Sequence, residues 1–253
     1  MPKSLVVIPT YNEAENIVEL IQQIFALNDT FDVLIVDDNS PDGTALLVKD
    51  IIPRYPERLF IIERVEKLGL GTAYVMGFRF ALDKGYDFIF EMDADFSHNP
   101  TDLSRLLKAC IQDNYDLAIG SRYCNGVNVV NWPMGRVLMS YFAGIYVRFI
   151  TGMPIMDPTA GFICFKRQVL ETILMEKIKF VGYAFQIELK FLAWKYGFRI
   201  IEIPIIFTER QRGVSKMSVK IFKEAFVGVI TMKVNSLFRK YIPPQNSQCH
   251  EKF

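Results

Sequence analysis

The chain is poor in the residues from which zinc sites and disulfide frameworks are built. Among its 253 residues are two histidines, His98 and His250, and four cysteines, Cys110, Cys124, Cys164 and Cys249. The cysteines show no paired spacing, which argues against a structural zinc site or a disulfide scaffold and fits a reducing, cytosolic setting. An excess of one charge is missing as well. Lys plus Arg is 29 and Asp plus Glu is 28, so no net field draws the chain toward nucleic acid. Long apolar runs are also absent. Residues 5–8 meet Pro9 at once, too short for the core of a signal peptide, and none is expected. Residues 137–156 come nearest to a membrane span, but Ser140, Arg148 and two glycines interrupt the ~20 mostly apolar residues that a span requires. There is no internal repeat and no low-complexity segment.

What is present is a hydrophobic fraction of 51%, enough for one large α/β core. Apolar runs and helical periodicities alternate through the first half. Strands are predicted over 5–8, 33–36, 59–62, 88–90 and 117–119. Helices are predicted over 13–26, 44–52, 71–84 and 101–112, the first with Ile17, Leu20, Ile21 and Ile24 on one face. Such alternation predicts a parallel sheet with helices on both faces and right-handed crossovers. After Ser121-Arg122 the texture changes. A helix over 133–152 is rich in Met, Leu, Phe, Tyr and Ile; a loop and short strand start at Asp157; a helix over 185–196 and a strand over 199–203 follow. The last predicted helix, 219–241, alternates Phe222, Phe226, Ile230, Leu237 and Phe238 with Lys220, Lys223, Lys233, Arg239 and Lys240. Pro243-Pro244 ends it, and residues 242–253 are expected to be a disordered tail.

The most informative stretch is Glu91-Met92-Asp93-Ala94-Asp95, where two carboxylates emerge as a buried strand stops. In an open α/β sheet the ligand crevice lies beyond the carboxyl ends of the strands. Paired carboxylates there suit Mg²⁺ or Mn²⁺ shared with substrate phosphates and water; a solvated acidic turn is the competing explanation. Two further strands end in polar runs, Pro9-Thr10-Tyr11-Asn12-Glu13 and Asp37-Asp38-Asn39-Ser40-Pro41-Asp42-Gly43-Thr44. In the first, free backbone N–H groups at a helix start could receive ligand atoms, or Thr10 or Asn12 could cap the helix. In the second, adjacent acids suit hydrogen bonding to a base or ribose, while Ser40 or Asp42 could serve as a cap. Lys67-Leu68-Gly69-Leu70-Gly71 lacks the third glycine of a dinucleotide fingerprint, although a glycine turn there could let the backbone approach a nucleotide.

Taken in order, Pro9–Glu13, Val36–Ser40, Gly69-Leu70-Gly71, Asp93-Ala94-Asp95, Gly120-Ser121-Arg122-Tyr123, Asn131-Trp132-Pro133 with Arg136, and Arg210-Gln211-Arg212-Gly213-Val214-Ser215-Lys216-Met217 resemble the dolichol- and polyprenol-phosphate mannosyltransferases. These are inverting family 2 glycosyltransferases with a GT-A, Rossmann-like fold. The resemblance spans residues 3–218. It implies a glycosyltransferase domain over 1–218, with a nucleotide half at 1–122 and an acceptor half at 123–218. It also implies that Pro9, Tyr11, Glu13 and Asp38 hold the nucleoside of GDP-mannose. Asp93 and Asp95 would lie against the diphosphate and hold its Mg²⁺ or Mn²⁺, Asp95 being favoured over Asp93 as the direct ligand. Arg122, Arg136, Ser140, Arg210 and Lys216 would surround the acceptor phosphate, and Asp95, Arg122 and Arg136 would carry the catalysis. Some relatives place a metal-assisting Gln where this chain has Ser97. His98 is assigned to loop ordering.

A polyprenyl phosphate acceptor is anionic near neutral pH, its second pKa being roughly 6, so it can attack without a general base once it is held in line. Its lipid tail requires the membrane surface, which the helices at 133–152 and 219–241 are suited to meet. Peripheral attachment to the cytoplasmic face, or an anchor supplied in trans by a small membrane subunit, is therefore expected. The residues do not separate GDP-mannose from UDP-glucose or another UDP-sugar on physical grounds, and an inactive nucleotide-sugar-binding or membrane scaffold protein is the alternative outside enzymes.

Overall fold

A computed structural model describes residues 2–176, 178–209 and 219–242. Its centre is a seven-stranded sheet. In chain order the strands are β1 (Ser4–Thr10), β2 (Phe31–Asp37), β3 (Leu59–Glu63), β4 (Phe88–Glu91), β5 (Leu117–Ser121), β7 (Ile163–Lys166) and β8 (Ile200–Pro204), lying side by side as β3-β2-β1-β4-β7-β5-β8. All pairs are parallel except those of β7, which runs antiparallel to both β4 and β5. The mostly parallel, GT-A-like central sheet expected from sequence is what the chain forms, and β7 is the one strand of it that runs the other way. Its reversal brings the segment before it, rather than after it, to the carboxyl edge where β1, β2, β4 and β5 end.

Successive strand residues point to opposite faces, and each face has its own core. Leu5, Val7, Leu34, Val36 and Ile89 pack with α3 (Leu70–Asp83), α6 (Arg167–Leu174) and α7 (Tyr183–Lys195). Val6, Ile8, Val33, Ile35 and Phe90 pack with α1 (Ile17–Phe25), α2 (Thr44–Ile51) and α4 (Asp102–Ile111). A methyl group on Gly77 would meet Val7 Cγ1 at 2.3 Å, so α3 lies against β1 as closely as a bare Cα allows. A two-stranded ribbon, β6 (Val129–Val130) with β9 (Phe207–Thr208), sits apart from the main sheet.

Helix α5 (Met134–Thr151) starts after Pro133 and stops at Gly152, whose φ of 76° is the left-handed C-cap that glycine accepts without strain. It pairs with α8 (Val219–Leu237) through the stacked rings of Tyr146 and Phe226 and a Lys233 Nζ bond to the Thr151 carbonyl at 3.0 Å. Val229 and Met232 dock α8 on the core. On the outside, Leu138, Met139, Phe142, Ile145 and Phe149 of α5 and Phe226, Val227, Ile230, Val234 and Leu237 of α8 are exposed, Phe149 by 85%. Among the described residues no helix is long and apolar enough to cross a membrane.

Candidate active site

The loops after β1 and β2 are stitched together by their own polar side chains. The amides of Asn12, Glu13 and Ala14 donate to Ser40 Oγ, Thr44 Oγ1 and Asp42 Oδ2, each at 3.0 Å. These N–H groups are therefore used by the protein rather than offered to a ligand. Thr10 does not cap α1, since its hydroxyl donates to Asp37 Oδ1 at 2.7 Å, and Asn12 takes a left-handed φ of 57°. The helix accordingly begins at Ile17, four residues later than its periodicity predicts. Asp37 also accepts from the Ser40 amide and hydroxyl at 2.8 and 2.6 Å. It is a loop organiser, and of the two adjacent acids only Asp38 is spared for another role.

Asp38 is buried and forms an ion pair with Arg64, which follows β3 and is itself buried. Arg64 further donates to Thr72 Oγ1 at 2.6 Å and to the Gly69 carbonyl at 3.2 Å, tying the start of α3 to the end of β2. Pro9 and Tyr11 are half-buried beside it and Glu13 is buried. The Lys67 ammonium lies 4.1 Å from the Tyr11 ring centre. The glycines after Lys67 serve packing. A methyl group on Gly69 would meet Val181 Cγ1 at 2.4 Å, and one on Gly71 would meet the Phe185 ring at 2.8 Å. The close approach at these glycines is to Val181 and to Phe185 of α7.

Beyond β4 the chain turns sharply through Asp93, half-buried, and Asp95, buried. Phe96 adopts φ 58°, a conformation costly for a bulky residue and found where the surroundings over-determine a loop. Here the Ser97 amide donates to Asp95 Oδ1 at 3.1 Å, and the Thr208 amide of β9 donates to the Ser97 carbonyl at 3.2 Å. His98 is enclosed, stacked on Phe162 with ring centres 4.8 Å apart and set edge-on to Phe207. Burial outweighs the nearby Asp95 and drives its pKa down to about 4. It is thus a neutral ring whose Nδ1 accepts from the Asp93 amide at 3.4 Å. The Ser97 hydroxyl is buried without a hydrogen-bond partner among the described residues, at the wall of a cavity of about 630 Å³ that Asn16, Asp102 and Arg105 also line.

Negative charge is concentrated here. Burial, then the charges of Asp93, Glu91 and Asp95, push the Tyr74 hydroxyl far above its ordinary value. Among the described residues no group of three side chains could by itself hold a metal ion. Two hard carboxylate oxygen donors at a crevice mouth nevertheless fit a small divalent cation, which takes one or two carboxylates and completes its shell with phosphate and water.

On the other side of β4 lie the arginines. Arg122, at the end of β5, donates through Nε and Nη2 to Asp157 at 2.7 and 2.6 Å, through its own amide to Asp157 Oδ2 at 2.9 Å, and through Nη2 to Thr159 at 2.8 Å. Asp157 is fully buried. Burial alone would raise its pKa, but the charge and hydrogen bonds of Arg122 hold it below the usual carboxylate value. Arg136, in the first turn of α5, pairs with Glu209. Trp132 joins the two arginines, with Arg122 Cζ 5.6 Å and Arg136 Cζ 4.1 Å from its ring. Its indole N–H is buried without a partner among the described residues. Ser140 is half-buried one turn beyond Arg136. Arg210 and Lys216 lie outside the described residues.

Phe207 links the two halves. Its ring is 5.3 Å from His98, 5.3 Å from Trp132 and 5.5 Å from Arg122 Cζ. Arg64, Asp157 and Phe207 all escaped the sequence reading. In the sequence Arg64 is marked only by its place directly after a buried strand, and Asp157 only by its place in a loop.

Comparison with known proteins fits this arrangement. Residues 5–174 match the family described as Glycosyl transferase family 2. The chain is 45% identical over 227 residues to polyprenol monophosphomannose synthase of Mycolicibacterium smegmatis, covering 90% of this chain and 85% of that protein. It is 42% identical over 225 residues to undecaprenyl-phosphate mannosyltransferase of Micrococcus luteus, covering 89% and 91%. Among solved structures, a mannosyltransferase from Pyrobaculum calidifontis in complex with GDP-Man and Mn²⁺ shares the fold at TM-score 0.61 and 20% identity, over 96% of this chain and 66% of that one. Glucosyl-3-phosphoglycerate synthase from Mycobacterium tuberculosis, with Mn²⁺, UDP and glucosyl-3-phosphoglycerate, shares it at TM-score 0.65 and 17% identity, over 96% and 82%.

Proposed function

The chain belongs to glycosyl transferase family 2, and we propose that it moves mannose from GDP-mannose to a polyprenyl phosphate, with inversion, giving polyprenyl β-mannosyl phosphate and GDP. The observation that carries this reading is the adjacency, across the Phe207 ring, of an acidic loop and a pair of arginines stacked on Trp132. One half suits a metal-bound diphosphate and the other suits a phosphate monoester. The activities named for the two bacterial relatives support the same assignment.

In this reading Pro9, Tyr11, Glu13 and Asp38 hold the nucleoside, and Asp93 and Asp95 hold Mg²⁺ or Mn²⁺. The bound cation supplies Lewis-acid stabilisation of the departing diphosphate. Arg122, Arg136, Ser140, Arg210 and Lys216 gather round the acceptor phosphate, for which guanidinium forks are better matched than ammonium groups. No proton has to be removed from a phosphate that is already anionic, and the enclosed, neutral His98 fits a site without a general base. Acceleration then comes from holding the phosphate oxygen in line with the anomeric carbon.

The acceptor's tail requires contact with lipid. The exposed apolar residues of α5 and α8 form a face suited to the interfacial region of a bilayer, peripheral on the cytoplasmic side and reinforced by any membrane subunit that joins it. In this division residues 1–218 are the catalytic domain and α8 the surface helix, which stops at Leu237 rather than at the expected residue 241; the expected tail at 242–253 lies, but for residue 242, outside the described residues.

The test is transfer of labelled mannose from GDP-mannose into an organic-extractable, mild-acid-labile product, with polyprenyl phosphate and Mn²⁺ present. Asp95-dependent label is the expected result. Label from UDP-glucose instead would overturn the donor, and silence with every donor and added membrane extract would overturn the enzymatic reading.

A further inference from the structure

Lys190, on α7, is completely buried, where an ammonium group is costly unless acceptors hold it. Its Nζ donates to the Ala160 carbonyl at 2.6 Å, and within its own helix to the Gln186 backbone and side-chain carbonyls at 3.1 and 3.4 Å. The contact at Ala160 is thus the one that joins two segments. Ala160 belongs to an irregular stretch, residues 152–162, that leads into β7. Charged side chains from three elements hold this stretch in place. Glu202 of β8 accepts from the Met156 and Asp157 amides at 2.7 and 2.9 Å. Arg122 of β5 grips the Asp157 carboxylate, and Lys190 of α7 pins the Ala160 end.

The Ala160 amide also returns to the Asp157 carbonyl at 3.3 Å, so fixing Ala160 fixes the turn that carries Asp157. Burial pushes the Lys190 pKa down to about 8 against the opposing charges of Glu91 and Asp157. The ammonium thus ties α7 to the turn whose Asp157 orients Arg122. A methionine would fill a similar volume without burying a charge, so packing alone does not account for a lysine here.

We propose that Lys190 is a positioning residue for acceptor binding: by clamping the Ala160 carbonyl it sets the Asp157 carboxylate, and through it the Arg122 guanidinium, in the orientation that receives the acceptor phosphate. The inference rests on Arg122 being an acceptor-phosphate group, as proposed above. Lys190 itself touches no substrate.

The experiment compares the full chain with its Lys190→Met and Lys190→Arg variants in steady-state mannose transfer, varying geranylgeranyl phosphate at saturating GDP-mannose and Mn²⁺, and then the reverse. A hydrogen bond from a charged donor is worth enough to move an affinity by about tenfold or more. Lys190→Met is therefore expected to raise the acceptor KM about tenfold while leaving the GDP-mannose KM within about twofold, and Lys190→Arg to recover most of the loss. A merely structural role lowers the active fraction, and with it kcat, without splitting the two KM values. An acceptor KM within about twofold of wild type, equal rises in both KM values, or no recovery by arginine overturns the proposal. Should methionine prevent folding, Lys190→Gln takes its place under the same limits. A wild type that transfers no mannose refutes the proposed reaction, not the clamp. Equilibrium binding of geranylgeranyl phosphate then carries the same tenfold comparison, and unchanged affinity overturns the clamp.

Discussion

Asp157→Asn is the sharpest perturbation of this site, because it removes one charge from a buried pair and alters almost nothing else. The carboxylate is fully buried and the Arg122 side chain only 10% exposed, with two guanidinium bonds and an amide bond converging on one acid. Breaking a buried pair by deleting one partner costs about 3–5 kcal/mol. Asparagine retains one carbonyl acceptor, so the expected loss is about 3 kcal/mol. With a urea m-value of about 3 kcal/mol/M, the unfolding midpoint falls by about 1 M at pH 7. The pH dependence has a definite sign. The folded pKa of Asp157 is held below its ordinary value of 3.8, so its contribution is fully present above that value and is lost as pH falls through the depressed one. The gap between wild type and variant should stay constant from about pH 8 to pH 5 and close in stronger acid. A midpoint shift under about 0.2 M at pH 7, or a gap that widens toward acid, would refute this account of Arg122.

Three other outcomes are expected. Asp95→Ala should abolish mannose transfer and the Mn²⁺-dependent part of GDP binding in calorimetry while leaving the circular dichroism spectrum unchanged; near-wild-type activity would remove Asp95 from the metal. Gly77→Ala, which forces a methyl to within 2.3 Å of Val7 Cγ1, should cost about 1–3 kcal/mol by overpacking and lower Tm by about 5 °C, with Val7→Ala restoring much of the loss in the double variant. Replacing Phe142, Phe149 and Phe238 together by serine should weaken co-sedimentation with anionic lipid vesicles while sparing turnover of a short-chain acceptor, and undiminished sedimentation would exclude this face as the membrane contact.

Most of the strand and helix order is legible because those elements carry a local signal, but α6 (Arg167–Leu174) is not among the expected helices. Leu5, Val6, Val7 and Ile8 make a run too apolar for anything but a buried strand, and Ile17, Leu20, Ile21 and Ile24 have helical spacing. The direction of β7 was not legible, since Ile163–Lys166 looks the same in either orientation and only its neighbours in the sheet decide. The two-residue strands of the β6–β9 ribbon are too short to leave a pattern. In the site, the acidic pair stood out because carboxylates after a buried strand need an explanation. Arg64, Asp157 and Lys190 did not, because a charged residue announces its role through a tertiary partner, and here the partners lie 26 to 35 positions away. The glycines after Lys67 show the converse. Their need for a bare Cα comes from the side chains of Val181 and Phe185, far off in sequence, which lie where a methyl group would stand.

The two arginines that share Trp132 differ in what they can give up. Arg122 is held in a buried fork by an acid with no exposure, and releasing it would strand a charge in the interior. Arg136 and Glu209 keep 27% and 25% of their side chains exposed, and a pair so placed is weak enough for water and salt to compete with it. In the proposed reaction an incoming phosphate would meet one guanidinium whose direction is already set and one that can trade its carboxylate for a doubly charged ligand. In the other half of the site the buried Asp37 likewise fixes geometry, through Thr10 and Ser40, while Asp93 is only half-buried. Among the arginines the more buried charge fixes geometry, and in the proposed reaction the more accessible one, Arg136, moves to meet the acceptor.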